Sequence, residues 1–290
     1  MAINFDAIRF MGVPQRKVDL DVIRAFIEDG GTKRINFAYT QPTALKRTEG
    51  QNCIGWFNLP FEDTIESILR SDLSLSRVLF TLPKTPDNRV YRRIDTEEEF
   101  NTFSSFIEKY KNLVFLRDTL DLSVALSMHE TEPDVRTVLG EHEYQLKYRS
   151  AQRDTTSDKV ALTAEMQKRL DELPYFKLAD YICAVPSSKP FMRDIIVGLD
   201  GFNFTDISDK VNWQNNNGSL KDVETAEKKL DMIKSWGLTF EADLDLKDKT
   251  VLLVDDMYYS GVTMQYIAMK MKESGAKRVF GMALVKSLRK

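Results

Sequence analysis

The stretch VLLVDDMYYSGVTM, from Val251 to Met264, constrains the fold more strongly than any other part of the sequence. Its apolar run, extended by one residue to TVLLV (Thr250–Val254), is typical of a strand buried on both faces of a parallel sheet. Two aspartates follow directly, and after a short loop a helical pattern begins near Val262. The stretch therefore predicts a strand, a loop and a helix of an α/β fold, with polar groups where the strand ends.

The rest of the C-terminal half continues this alternation of strands and helices. YICAV (Tyr181–Val185) and RVFGMALV (Arg278–Val285) are predicted strands, and a helix is predicted from Val262 to Ser274. Strand–helix–strand alternation favours a parallel, Rossmann-like sheet with right-handed crossovers. In such a sheet, ligands bind outside the carboxyl ends of the strands.

Roughly the first 130 residues indicate a mixed α/β module without a recognisable catalytic motif. RVLFTL (Arg77–Leu82) and NLVFL (Asn112–Leu116) are among its predicted strands. The polar segment HETEPDVRT (His129–Thr137) is the candidate domain boundary. We therefore predict an N-terminal α/β module of unknown role at residues 1–135 and a parallel-sheet domain at residues 136–290.

Composition excludes several classes of function. With two cysteines and two histidines, a disulfide framework or a His-rich zinc site is not expected. A formal net charge of −3 gives no global basic field that would attract nucleic acid. The N-terminus lacks a signal-peptide pattern, and no apolar stretch approaches membrane-spanning length. We therefore expect a cytoplasmic protein that contacts no membrane.

The loop after the predicted strand combines two kinds of recognition. Adjacent carboxylates at Asp255 and Asp256 repel each other, so they need hydroxyl or cationic partners such as a sugar cis-diol or a divalent cation. The helix that follows offers free backbone N–H groups and a positive dipole end, which suit a phosphate. The candidate phosphate-binding residues are Tyr258, Tyr259, Ser260, Gly261, Val262 and Thr263.

A second loop, PSSKP, follows the predicted strand at Tyr181–Val185. Ser187, Ser188 and Lys189 offer hydroxyls, N–H groups and one ammonium, which suit a pyrophosphate. The alternative is an ordinary helix cap. Ribose with a phosphate at one end and a pyrophosphate at the other is phosphoribosyl pyrophosphate (PRPP), so the two loops together predict a PRPP or nucleotide 5′-phosphate site.

The motif also carries a resemblance to a known family. VLLVDDMYYSGVT resembles the PRPP-binding motif of type I phosphoribosyltransferases: an apolar strand, two acidic residues, a short variable segment, Ser/Thr-Gly, one residue and Thr. The surrounding chain is similar to the ComF-like branch at LKY (Leu146–Tyr148), at VPSS (Val185–Ser188) and at GAKRV (Gly275–Val279). This resemblance covers roughly residues 140–290 and leaves the N-terminal module unassigned.

The resemblance implies a pentosyltransferase that uses Mg²⁺. Asp255 and Asp256 would orient the ribose and help to hold the metal, while the Ser187–Lys189 loop and Mg²⁺ would stabilise the departing pyrophosphate. The segment from Lys210 to Asp222 would be the family's mobile loop. Purine salvage enzymes of the family usually carry an acidic residue where this sequence has Tyr259, so the acceptor stays open.

A non-catalytic alternative fits the same residues. The domain would then sense PRPP or a nucleotide, and a protein or RNA–DNA partner would respond. Fused domains of this kind are similar to accessory proteins of retron reverse transcriptases, which implies a role in antiviral defence.

The sequence leaves open whether the chain forms a homo-oligomer. Lys228 and Lys229 are predicted on a solvated helix face, and Lys286 in a solvated tail.

Overall fold

The computed structural model describes residues 13–31, 33–49, 52–72, 90–189, 191–215, 220 and 223–288. The predicted strand at Arg77–Leu82 lies outside these residues, as does most of the predicted mobile loop beyond Asn215. The helices in the described part are α1 (Leu20–Glu28), α2 (Asp63–Asp72), α3 (Glu97–Lys109), α4 (Val138–Arg149), α5 (Thr156–Glu172), α6 (Phe191–Val197), α7 (Ala226–Trp236) and α8 (Val262–Glu273).

The strands of the described part fall into one large sheet and three small ones. They are β1 (Lys33–Ile35), β2 (Leu45–Arg47), β3 (Gly55–Leu59), β4 (Val90–Ile94), β5 (Val114–Arg117), β6 (Leu122–Met128), β7 (Glu130–Glu132), β8 (Val135–Arg136), β9 (Tyr181–Ala184), β10 (Thr205–Asp206), β11 (Val211–Trp213), β12 (Leu238–Phe240), β13 (Thr250–Tyr258) and β14 (Arg278–Lys286). The large sheet has the order β1-β5-β6-β14-β13-β9-β10.

The large sheet is mostly parallel. Strands β6, β14, β13, β9 and β10 run parallel to their neighbours, whereas β5 and β1 add to the β6 edge in antiparallel fashion. Strands β14 and β6 are buried along their whole length, as expected for strands covered on both faces. The mixed α/β fold with a parallel C-terminal sheet is therefore confirmed.

The predicted boundary near residue 135 lies in the hairpin formed by β7 and β8. Strands from both sides of this boundary share the large sheet, because β6 pairs with β14. The core is shared as well: Phe106 and Phe115 belong to the same buried cluster as Leu252 and Phe280. A division of the chain into two modules stays a prediction, while the structure shows one sheet and one core across the boundary.

Helices cover both faces of this sheet. On one face, α2 to α6 contribute to the large core cluster, with residues such as Ile65, Leu162 and Ile195. On the other face, α8 packs on the sheet through Ile267 and Met271, and α1 and α7 pack on α8. Among the described residues, no helix combines the length and the apolar character needed to span a bilayer.

Strand β13 extends further than its apolar run predicts. It continues to Tyr258, and its ladder with β14 includes Asp255 opposite Ala283 and Tyr258 opposite Lys286. The two aspartates therefore lie within the strand and not after its end, which corrects the predicted boundary. The reason is that β14 supplies backbone partners beyond Val254, and these hold the polar residues in extended conformation.

Candidate functional site

The two aspartates of β13 lie side by side at the carboxyl edge of the sheet. The backbone N–H of Asp256 donates to Asp255 Oδ1 at 2.9 Å. Lys147 Nζ lies 2.6 Å from Asp256 Oδ2, and only 13% of the lysine side chain and 16% of the aspartate side chain are exposed. Burial and the neighbouring Asp256 carboxylate raise the pKa of Asp255 well above its usual value.

Lys147, in the last turn of α4, joins this acidic pair to a second carboxylate. Its Nζ is 3.3 Å from Oε1 of Glu143, a fully buried side chain one helical turn earlier. Burial opposes the charge of Lys147, but the carboxylates of Asp256, Glu143 and Asp255 outweigh it and raise the pKa of the lysine. Lys147 is therefore held protonated at the edge of the site. The LKY segment of the sequence contains Lys147, but the sequence alone does not predict that this lysine contacts Asp256.

The loop after β13 depends on a buried tyrosine. Gly261 has φ +77° and forms the N-cap of α8, and a Cβ atom there would collide with the Tyr258 ring and hydroxyl. The Tyr258 hydroxyl donates to Asp118 Oδ2 at 2.7 Å, and both residues are buried. Arg16 in turn donates to the Asp118 backbone carbonyl at 2.8 Å. The N-terminal part of the chain thus fixes the shape of this loop.

A cavity of about 380 Å³ opens above the loop. Its walls are formed by Asp255 of β13, Ser260 of the loop, Lys147 near the end of α4 and Lys229 of α7. The cavity lining also includes Tyr258, Tyr259, Gly261 and Thr263. Val262 is buried in the contact between α7 and α8, away from this lining. The structure therefore brings Asp255 and five of the predicted loop residues to one cavity, whereas Asp256 and Val262 are not part of its lining.

Lys229 is a site residue that sequence reasoning missed. It is only 8% exposed, which corrects the predicted solvated face, and its ammonium lies 4.3 Å from the centre of the Tyr259 ring. Burial lowers the pKa of Lys229. Within the described part of the chain, no carboxylate forms an ion pair with it. The sequence did contain a sign of this burial, because Lys229 shares one helical face with the apolar residues Ile233 and Trp236.

Lys286 is a second lysine that the sequence misplaced. It is 1% exposed and not part of a solvated tail, because β14 continues through it under the loop. Its Nζ donates to the Tyr259 carbonyl at 3.0 Å and to the Ser287 carbonyl at 2.7 Å. Burial, with a smaller contribution from Arg34, lowers the pKa of Lys286 to about 7. The loop therefore rests on a lysine that titrates near neutrality.

The second loop follows β9, which lies next to β13 in the sheet. Ser187, Ser188 and Lys189 are exposed, and the Lys189 N–H donates to Ser187 Oγ at 3.2 Å. The Lys189 ammonium contacts the Lys147 carbonyl oxygen and lies 4.9 Å from the Tyr148 ring centre. Ser188 and Lys189 line a separate cavity of about 350 Å³. The two predicted loops are neighbours at one edge of the large sheet, but the second loop lines a different cavity.

Magnesium at Asp255 and Asp256 stays a prediction. Among the described residues, no group of three or more His, Cys, Asp or Glu side chains is placed to hold a metal ion. An ammonium already lies against Asp256. These side chains therefore form no cage for a resident Mg²⁺ by themselves, and an ion here would need oxygens from the substrate and water to complete its octahedral coordination.

Comparisons with known proteins concern the C-terminal part. The model of the phosphoribosyl transferase domain family matches residues 183–289, and no curated protein sequence matches the chain significantly. A hypoxanthine phosphoribosyltransferase structure from Staphylococcus aureus is 16% identical with a TM-score of 0.31, and the match covers 45% of this chain and 64% of that one. The matched part therefore spans under two thirds of that enzyme.

Two further solved structures give similar values. A hypoxanthine-guanine phosphoribosyltransferase from Bacillus anthracis is 14% identical with a TM-score of 0.27, over 51% of this chain and 67% of that one. A hypoxanthine-guanine-xanthine phosphoribosyltransferase is 12% identical with a TM-score of 0.26, over 51% and 63%. The match to the phosphoribosyl transferase domain model lies in the C-terminal region, and the ComF-like branch stays a prediction from resemblance.

Proposed function

We propose that this chain, whose residues 183–289 match the phosphoribosyl transferase domain family, binds PRPP and transfers its phosphoribosyl group to an acceptor. One observation carries the proposal. The Asp255 carboxylate, a glycine-containing loop at a helix start and the lysines Lys147 and Lys229 line a single cavity of about 380 Å³, and Asp256 contacts Lys147 beside it. Carboxylates accept hydrogen bonds from sugar hydroxyls, while the loop and the lysine suit a phosphate.

The ligand would lie across this cavity in a defined direction. The ribose hydroxyls would donate to Asp255 and Asp256. The 5′-phosphate would accept from backbone N–H groups between Tyr258 and Thr263, where the helix dipole is positive. Lys229, which lines the same cavity as Lys147, adds a second cation. A nucleoside 5′-monophosphate presents the same ribose and phosphate, so it is the expected second ligand.

The reaction would be a displacement at the anomeric carbon of PRPP. The bond from this carbon to pyrophosphate breaks, its electron pair leaves with the pyrophosphate oxygen, and a bond to the acceptor forms. Positive charge builds on the ribose ring, and the two aspartates would hold the ring in place. The exposed Ser187–Lys189 loop would receive the pyrophosphate. Catalysis would then rest mainly on positioning and leaving-group electrostatics.

Calorimetry and crystallography test this proposal directly. PRPP, ribose 5-phosphate and nucleoside 5′-monophosphates should each release or take up heat on binding. A crystal soaked with PRPP should show the 5′-phosphate on the loop between Tyr258 and Thr263. If none of these compounds binds, the proposal is wrong.

A second candidate function is a binding module without turnover. The observation that favours it is Tyr259, which stands where purine salvage enzymes of the resembled family have an acidic residue and instead packs against Lys229. The protein would then report PRPP or nucleotide levels to a partner, and the retron reverse transcriptase resemblance names one partner class. Pyrophosphate release with any acceptor base would exclude this module. Tight PRPP binding without release would favour it.

A further inference from the structure

We propose that Lys147 supplies the positive charge at the acidic pair, so that a sugar phosphate binds there without a divalent cation. This inference rests on the proposed function, because it concerns the same cavity. It assigns a positioning role to a residue outside the strand–loop motif. Its consequence is that any Mg²⁺ requirement of the protein would come from the pyrophosphate and not from the ribose.

The first argument is the distribution of charge around the two aspartates. Two neighbouring carboxylates that are largely withdrawn from water need compensation. Lys147 provides it at 2.6 Å from Asp256. Within the described residues, no other ammonium or guanidinium forms an ion pair with either aspartate. A divalent cation placed on the same oxygens would be repelled by this ammonium.

The second argument is that Lys147 is held in place from two sides. Its ammonium is 3.3 Å from Oε1 of Glu143, whose side chain is fully buried. Helix α4 packs against β6 and β14, so the backbone of Lys147 is tied to the sheet. The backbone of the lysine is therefore fixed in the cavity wall, while its ammonium has two carboxylates, Asp256 and Glu143, within reach.

The third argument concerns what happens when ribose hydroxyls reach Asp256. The two carboxylate oxygens of Glu143 accept no hydrogen bond, although His129 Nε2 lies 3.5 Å from Oε2. Glu143 thus has unused acceptor capacity next to Lys147. Asp256 is not part of the cavity lining, so a sugar hydroxyl reaches it only by displacing the Lys147 ammonium, which can then shift toward Glu143 and stay neutralised. The lysine therefore frees Asp256 without becoming an unpaired buried cation.

Ribose 5-phosphate is the probe that tests this inference, because it reaches the aspartates and the phosphate loop but carries no pyrophosphate. Its affinity for the wild-type protein would be measured by calorimetry with excess EDTA and with excess MgCl₂. We expect the two dissociation constants to agree within about twofold. Binding that appears only with MgCl₂ overturns the inference. Absence of binding in both buffers also overturns the inference, and it overturns the proposed function only if PRPP and nucleoside 5′-monophosphates fail to bind as well.

Variants of Lys147 add a second, independent readout. In Lys147→Met the aspartates lose their cation, so affinity in EDTA should fall by about tenfold or more and recover in part with MgCl₂. Lys147→Arg keeps the charge and should bind without MgCl₂. Lys168→Met, on the exposed face of α5, is the matched control and should behave as wild type. If Lys147→Met binds like the control in EDTA, the inference is wrong. The wild-type titration decides the matter if Lys147→Met does not fold.

Discussion

Two loops leave the same edge of the sheet from neighbouring strands, and they are built in opposite ways. The loop after β13 rests on buried groups: Tyr258 beneath Gly261, Asp118 beneath Tyr258, and Lys286 beneath the Tyr259 carbonyl. The loop after β9 is exposed and follows a short strand. One loop is shaped by the protein before any ligand arrives, whereas the other has few buried contacts of its own.

This difference in structure suggests that the two loops have different roles at the proposed site. A loop with fixed N–H groups loses little conformational entropy on binding a phosphate, so it is suited to recognition. An exposed loop must order its side chains when the ligand arrives, so its contribution to affinity is smaller. The exposed loop after β9 is instead suited to the pyrophosphate, which has to dissociate after the reaction. The four predictions below test this contrast, from the largest expected effect to the smallest.

The largest effect is expected at Gly261. Gly261→Ala places a Cβ against Tyr258 at a positive φ, so the free energy of unfolding should fall by about 2–5 kcal/mol from strain and overpacking together. Gly201→Ala is the matched control, because Gly201 has φ +76° with open space around it, and it should cost only about 1–2 kcal/mol. Urea unfolding measures both. Equal losses would show that the β13 loop is not packed tightly.

The second effect concerns the acidic pair. Asp255→Asn with Asp256→Asn keeps size and removes charge, so the fold should survive while ribose 5-phosphate binding weakens by about 1–3 kcal/mol for each charge-assisted hydrogen bond lost. Calorimetry measures the affinity, and circular dichroism checks the fold. Unfolding of the double variant, with apolar changes in Thr250–Val254 tolerated, would make the pair structural and refute the proposed role.

The third effect is a pH dependence that only the β13 loop should show. Folded Lys286 releases its proton near pH 7, whereas its usual pKa is 10.5, so unfolding takes up a proton between these values. Stability should therefore rise with pH across this window. From about pH 7 to about pH 9, wild type should gain about 2 kcal/mol more than Lys286→Met.

The matched control for this pH effect is Lys189→Met in the exposed loop. Urea unfolding at both pH values should give wild type and this control the same pH dependence. A wild-type curve parallel to that of Lys286→Met would mean that Lys286 stays charged in the folded protein.

The smallest effect is expected in the second loop. Lys189→Met should weaken PRPP binding by about 0.5–1 kcal/mol, since an exposed charge is screened by solvent, and it should leave ribose 5-phosphate binding unchanged. Calorimetry with both compounds provides the comparison. Equal losses for both would place Lys189 at the ribose or 5′-phosphate, and no loss for either would remove this loop from the site.

The same contrast explains how much the sequence revealed. The β13 motif was readable because it is local: an apolar run, two carboxylates and Ser-Gly-x-Thr lie within one short stretch. The contacts that the sequence did not predict are made between residues that lie far apart along the chain. Asp118 and Lys147 meet the motif only through the sheet and α4, and the extension of β13 to Tyr258 depends on β14. Lys286 looked like a tail residue because no local pattern shows that β14 continues through it.

The order of strands also has a consequence for biosynthesis. Strand β6 is translated well before its parallel partner β14, as the bond between the Val279 N–H and Asp121, 158 residues apart, illustrates. Until β14 emerges, the edge of β6 is an unpaired template for wrong partners. Pairing over such a separation is slow, because the loop must close before the contacts form. The nascent chain therefore carries its greatest aggregation hazard in the interval between these two strands.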